Sequence, residues 1–129
     1  MKPLLWVGSS LSDLQAFPRN VRKEAGYSIH LAQRGDKAPN AVPMLGFRSA
    51  KVLEVVINND GDTFRAVYTV KFAKAVYVLH AFQKKSKRGI STPKPDLDLI
   101  HRRLLKAETH YRTKFENRKQ GGSGDAKKI

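Results

Sequence analysis

Arg65, His80, Lys84 and Lys85 are the side chains whose types and spacing could do chemistry together, one inside an apolar run and three around the end of the next. A metal-free cut in an RNA phosphodiester needs a base for the 2′-hydroxyl proton, cations for the charge on the crowded phosphorane, and an acid for the leaving 5′-oxygen. Arginine and lysine supply the cations. Histidine is the one type among the four that titrates near neutrality, so proton transfer falls to His80. The plain structural alternative is a histidine packed at a strand end and followed by a solvated charge run.

The surroundings favour a polyanionic partner. The run Ala75 to Phe82 passes within two residues into Lys84-Lys85-Ser86-Lys87-Arg88-Gly89, and a strand anchored in a core holds cations at fixed places. Lys71, Lys87 and Arg88 are candidate phosphate contacts, and Phe82 can stack on an unpaired base. The 129 residues carry 25 Lys and Arg against 11 Asp and Glu, a net charge of +14. Residues 1–60 hold 8 basic and 5 acidic side chains (8 − 5 = +3), and residues 61–129 hold 17 and 6 (17 − 6 = +11), so the partner should face the second half.

Other chemistries find little support. There is no cysteine, which removes disulfides, thiol nucleophiles and thiolate metal sites and suits a reducing cytoplasm. His101 and His110 are too far apart to share one helical turn, so no metal site and no cofactor are expected. Asp96 and Asp98 resemble a catalytic pair, but capping and the helix dipole explain carboxylates at a helix start. Gly-rich phosphate loops and a nucleophile-elbow serine are absent. The apolar start is too short for a signal peptide and no stretch reaches membrane-spanning length, so a cytoplasmic protein without a membrane partner is expected.

The elements that must position these residues form one α+β domain over residues 1–119, with residues 120–129 a flexible polar tail. Leu4 to Val7 reads as a short strand, and Ser12 or Asp13 can cap a turn carrying Leu14 and Phe17. Pro18 to Arg34 reads as a helix with Val21, Ala25, Ile29 and Ala32 inward; Gly26 within it implies close backbone packing on a sheet. Asp36 to Arg48 reads as a loop. Lys51 to Asn58 and Thr63 to Phe72 are paired strands, because Asn59-Asp60-Gly61-Asp62 is a hairpin signal. Alternation places Phe64, Ala66, Tyr68 and Val70 in the core, with Arg65, Val67, Thr69 and Lys71 opposite. On the third strand it places Val76, Val78, His80, Phe82 and Lys84 on one face and Tyr77, Leu79 and Ala81 on the other. Thr92-Pro93-Lys94-Pro95 reads as a spacer, Asp96 as a cap, and Leu97 to Phe115 as a helix whose outer face is basic through Arg102, Arg103, Lys106 and Arg112.

The run Arg65-Ala66-Val67-Tyr68-Thr69-Val70, with Val78-Leu79-His80-Ala81-Phe82-Gln83-Lys84-Lys85-Ser86-Lys87 and Thr92-Pro93, resembles the phage-derived, HigB-like branch of the RelE/ParE toxin superfamily. Ser12-Asp13-Leu14, Phe17-Pro18, Val21-Arg22, Gly26-Tyr27 and Ala32-Gln33 with Gly35 extend the likeness over roughly residues 4–112. The resemblance implies a RelE-like fold, with an N-terminal strand and helices on an antiparallel β-meander followed by a C-terminal helix. It also implies a helix-turn-helix, HigA-like antitoxin as partner and metal-free cleavage of mRNA on the ribosome. By position, Arg65 matches the family's strand arginine, Lys84 or Lys85 the basic residue after the last core strand, and Lys51, more loosely, a basic residue of the preceding strand. The tyrosine that RelE carries after its last strand has no counterpart in Ser86-Lys87-Arg88-Gly89, leaving the general base unassigned. A second reading stays open: a non-enzymatic toxin of the ParE kind that poisons gyrase, or a phage protein that grips nucleic acid.

Overall fold

Asp60 and Gly61 both take positive φ, 52° and 82°, and this tight turn makes a hairpin of β3 (Val52–Asn59) and β4 (Asp62–Thr69). Glycine accepts that backbone region without steric cost and aspartate tolerates it, which is why the turn falls there. The computed structural model describes residues 1–47, 50–84, 92–116 and 127–129. Before the hairpin come β1 (Leu4–Trp6), α1 (Ser10–Gln15), α2 (Arg19–Gln33) and β2 (Ala41–Pro43); after it come β5 (Val76–Lys84), α3 (Lys94–Tyr111) and a π-helical turn at Arg112–Glu116.

The five strands form one sheet in the order β1-β5-β4-β3-β2. Neighbours from β2 to β5 are antiparallel, whereas β1 lies parallel to β5, with Leu5 opposite Tyr77. The sheet is therefore mixed, a departure from the expected antiparallel layer. A parallel pair needs a long crossover, and the two helices and three strands between β1 and β5 provide it.

Both faces of the sheet are buried. Leu14 and Phe17, with Val21, Ala25, Ile29 and Ala32 of α2, pack on Val55, Ile57, Phe64, Ala66, Tyr68, Val76 and Val78. Ile100, Leu104, Ala107 and Tyr111 of α3 cover the opposite face, against Val52, Val67, Tyr77 and Leu79. Among these, each fully buried Val, Ile or Leu side chain contributes about 1.5–3 kcal/mol of transfer free energy. Val67 and Thr69 are thus core as well, under α3.

A β-bulge changes the face assignment of β5. Val67 lies opposite His80 but Tyr68 lies opposite Val78, so Leu79 is an extra residue. The alternation reverses across it: Val76 and Val78 share the α1–α2 core with Ala81, while Phe82 packs with the α3 side. His80, Phe82 and Lys84 therefore do not share a face with Val76 and Val78, as strict alternation predicted. The bulge turns them to the α3 side, where Arg65 also lies.

Arg103 braces this irregularity. Its Nη1 donates to the Leu79 carbonyl (2.9 Å) and its Nη2 to Ser9 Oγ (3.0 Å), so it is not simply part of an outer basic face. Burial lowers its pKa, opposed by Asp13 and assisted by Arg102. The guanidinium lies where a side chain on Gly8 would begin, 2.8 Å from the position of a Cβ, and Gly8 has φ +58°.

Three further expectations are corrected. The segment Asp36 to Arg48 contains β2, whose Val42 pairs with Glu54. Gly26 meets nothing within 4 Å where a Cβ would sit, so close packing on a sheet does not explain it. α3 starts at Lys94 behind Pro93, three residues earlier than expected, because prolines suit a first turn whose N–H groups have no intrahelical acceptor. Lys127–Ile129 lie along β1: Trp6 N donates to Lys127 O (2.8 Å) and Ile129 N to Trp6 O (2.8 Å). Among the described residues no helix is long and apolar enough to cross a membrane.

Candidate nucleic-acid site

Three adjacent strands each place a titratable or charged side chain on the α3 side of the sheet, beyond the apolar patch that the helix covers. Glu54 comes from β3, Arg65 from β4 and His80 from β5. The β3–β4 register sets Glu54 opposite Val67 and Arg65 opposite Val56; Val67 in turn faces His80. Glu54 and Arg65 are thus diagonal neighbours, a spacing that long side chains bridge. Arg65 Nη1 donates to Glu54 Oε1 at 2.5 Å, with both side chains more than nine-tenths buried.

His80 is held from α3. Its Nε2 lies 2.7 Å from Asp96 Oδ1, and its ring stacks on Phe82 with centroids 4.7 Å apart and planes 18° from parallel. Asp96 was expected to cap the helix, but the cap position is Pro93 and no side chain bonds the helix start. Its carboxylate is used on the imidazole instead. Thr92 Oγ1, just before α3, points at Glu54 Oε2 at the outer limit of a hydrogen bond, 3.5 Å.

Two polar atoms in this cluster have no hydrogen-bond partner among the described residues: His80 Nδ1 and Arg65 Nε, both buried. Folded chains satisfy the large majority of such atoms; the third one among the described residues, the Tyr68 hydroxyl, lies in the α1–α2 core. Lys84 ends β5 opposite Thr63 on the same face and is 7% exposed. The cluster therefore brings Arg65, His80, Phe82 and Lys84 together, and adds Glu54, Asp96 and Thr92.

Lys51 and Lys71 are not part of it. They lie beyond the strand ends away from Lys84: Lys51 is three residues before Glu54, about 10 Å at about 3.3 Å per residue, and Lys71 is two residues past the end of β4. Lys71 Nζ is paired with Glu108 at 2.5 Å. Lys51 precedes β3 with φ 47° and lines a cavity of about 440 Å³ with Lys2, Lys37, Met44 and Phe47. Lys85, Lys87 and Arg88 lie outside the described residues.

Tyr68 and Tyr77, the strand tyrosines, belong to the core. Tyr68 is fully buried on the α1–α2 side, where burial pushes its phenol up to about 12. Tyr77 lies under α3 with its hydroxyl 2.7 Å from His110 Nδ1, and burial, then Tyr111, raises its pKa. Among the described residues no three His, Asp or Glu side chains gather to hold a metal ion.

Glu54 and Asp96 are the functional candidates that sequence reasoning missed. A signal for Glu54 was present: it is the single charge in the apolar run Val52-Leu53-Glu54-Val55-Val56, and counting back from the Asn59–Asp62 turn sets it diagonal to Arg65. Asp96 had no such signal, because its distance from His80 depends on how α3 docks.

The fold is a small mixed sheet covered on both sides by helices, with a charged cluster on one face. The family model described as phage derived protein Gp49-like (DUF891) matches residues 12–105. The chain belongs to this phage-derived family, which is associated with RelE-like toxins and is consistent with a toxin of the toxin–antitoxin type, with an antitoxin as partner. The matched span contains Glu54, Arg65, His80, Lys84 and Asp96. No curated protein and no solved structure matched the chain.

Proposed function

We propose that the protein is a HigB-like toxin of a type II toxin–antitoxin system, an endoribonuclease that cuts mRNA on the ribosome and stops translation. The observation that carries the reading is the placing of Glu54, Arg65 and His80 on three adjacent strands of one face, with Lys84 at its edge. This is a carboxylate, a fixed cation and an imidazole within reach of one phosphodiester, the groups that acid–base cleavage of RNA requires.

In this mechanism Glu54 takes the proton of the 2′-hydroxyl, the role left unassigned by the sequence. The 2′-oxygen attacks phosphorus, and Arg65 and Lys84 balance the charge on the non-bridging oxygens. The bond from phosphorus to the 5′-oxygen breaks, and protonated His80 donates its proton to that oxygen. The products are a 2′,3′-cyclic phosphate and a 5′-hydroxyl end. Phe82, stacked on His80, keeps the ring plane fixed and offers its edge to a base. Lys85, Lys87 and Arg88 extend the phosphate contacts, residues 1–119 act as one RelE-like domain in the cytoplasm, and a helix-turn-helix antitoxin of the HigA kind restrains it.

Ribosome dependence rests on the resemblance to HigB, and the chemistry rests on the cluster. Inducing the protein and mapping mRNA 5′ ends tests both: new 5′-hydroxyl ends in phase with codons are expected. Growth arrest with intact mRNA, or with gyrase-linked DNA breaks appearing first, would overturn the reading.

A further inference from the structure

We infer that Asp96 is a positioning residue, which fixes His80 so that Nδ1, not Nε2, is the ring atom that meets the substrate. The catalytic consequence rests on the nuclease reading above; the tautomer rests on geometry alone. An ionised carboxylate only accepts hydrogen bonds, so the 2.7 Å contact to Asp96 Oδ1 puts a hydrogen on Nε2. Stacking on Phe82 sets the plane of the ring, and Asp96 sets which edge of it turns inward. Turning the ring over would break the Asp96 bond.

That leaves Nδ1. His80 is 6% exposed and Nδ1 has no partner among the described residues, as has Arg65 Nε on the neighbouring strand. Arg65 lies opposite Phe82 and His80 opposite Val67, so the two unmet atoms belong to diagonal neighbours on one face. A phosphodiester satisfies both, with a non-bridging oxygen on Arg65 Nε and the leaving 5′-oxygen on the Nδ1 hydrogen of the protonated ring. The same helix holds the backbone beneath: Arg103 of α3 bonds the carbonyl of Leu79, the bulged residue just before His80. The start of α3 and its third turn together set both ring and strand.

The test uses the full chain labelled with ¹⁵N-histidine, long-range ¹H–¹⁵N spectra above the titration of the ring, and cleavage of a model mRNA on purified ribosomes. Asp98→Asn is the control, since Asp98 lies on the same helix turn but among the described residues bonds only Lys94, at 3.1 Å. The wild type should show His80 protonated at Nε2 and bare at Nδ1. Asp96→Asn should lose that single tautomer and cleave about 10- to 100-fold more slowly, the usual effect of removing an orienting partner, while Asp98→Asn matches the wild type. A wild-type ring protonated at Nδ1, an unchanged Asp96→Asn spectrum, wild-type cleavage by Asp96→Asn, or an equal loss in Asp98→Asn would overturn the inference. A wild type with the expected tautomer that cuts no RNA overturns the nuclease reading and with it the catalytic role.

Discussion

Besides the Arg103 bond to the Leu79 carbonyl, β5 is fastened to α3 through two histidines, and these two fastenings differ in what they leave over. Near the helix start, His80 bonds Asp96 and stacks on Phe82, beside the buried pair of Arg65 and Glu54, and two polar nitrogens remain unmet among the described residues. Near the helix end, His110 bonds the Tyr77 hydroxyl amid Phe72, Tyr111 and Phe115. That end spends its polar atoms on itself and surrounds them with rings. The charged end thus holds the groups that the proposed cleavage uses, and the aromatic end holds a matched polar pair among rings.

The largest effect expected is at the charged end. Arg65→Ala leaves the Glu54 carboxylate buried without its cation and should cost about 3–5 kcal/mol in urea unfolding. Replacing both partners, Arg65→Met with Glu54→Leu, should recover most of that stability because no buried charge remains. It should still abolish cleavage. A double variant no more stable than Arg65→Ala, or one that still cuts mRNA, would break the contrast between the two ends.

The cations sharpen it next. Lys84→Ala should slow mRNA cleavage more than Lys51→Ala or Lys71→Ala, since Lys84 sits on the strand that carries His80 and Phe82, whereas Lys71 is paired with Glu108 and Lys51 lies three residues outside Glu54, about 10 Å along the strand and beyond the Debye length of about 8 Å at physiological salt. Rates for the three variants side by side decide this. Equal losses would move the site toward the Lys51 end.

The aromatic end makes a pH prediction. Burial, with Lys114 adding to it, holds His110 below its ordinary 6.5. The folded chain then binds fewer protons than the unfolded one just below pH 6.5, so stability should decline as pH falls through that value. His110→Gln should flatten this part of the stability curve and leave RNA cleavage unchanged. A curve identical to the wild type would place the titrating group elsewhere.

The smallest effect lies outside both ends. Gly26 is in the middle of α2 with open space where a Cβ would go. Gly26→Ala should raise stability by about 0.5–1 kcal/mol in thermal unfolding, with activity unaltered. A loss of stability would mean that the glycine serves a contact.

Local signals made part of this legible from sequence. The Asn59–Asp62 turn and the stripe of Val21, Ala25, Ile29 and Ala32 depend on neighbours within a few residues, and they stand. What was missed depends on distant pairing. The bulge at Leu79 is fixed by Arg103 from another element, and without it alternation sends His80, Phe82 and Lys84 to the wrong face. Asp96 was read through its local role as a cap, while docking of α3 gives it to His80. β2 is three residues long with a proline at its end, too short to show a period of two.

The central claim is that Glu54, beside Arg65, removes the 2′-hydroxyl proton. Its most direct test is cleavage of mRNA on ribosomes by Glu54→Gln, which keeps shape and a hydrogen-bond acceptor for Arg65 but is no base. The account predicts a folded protein that still binds and cuts about 10²- to 10⁴-fold more slowly, the range for a lost general base. A folded Glu54→Gln protein that cuts at the wild-type rate would contradict it.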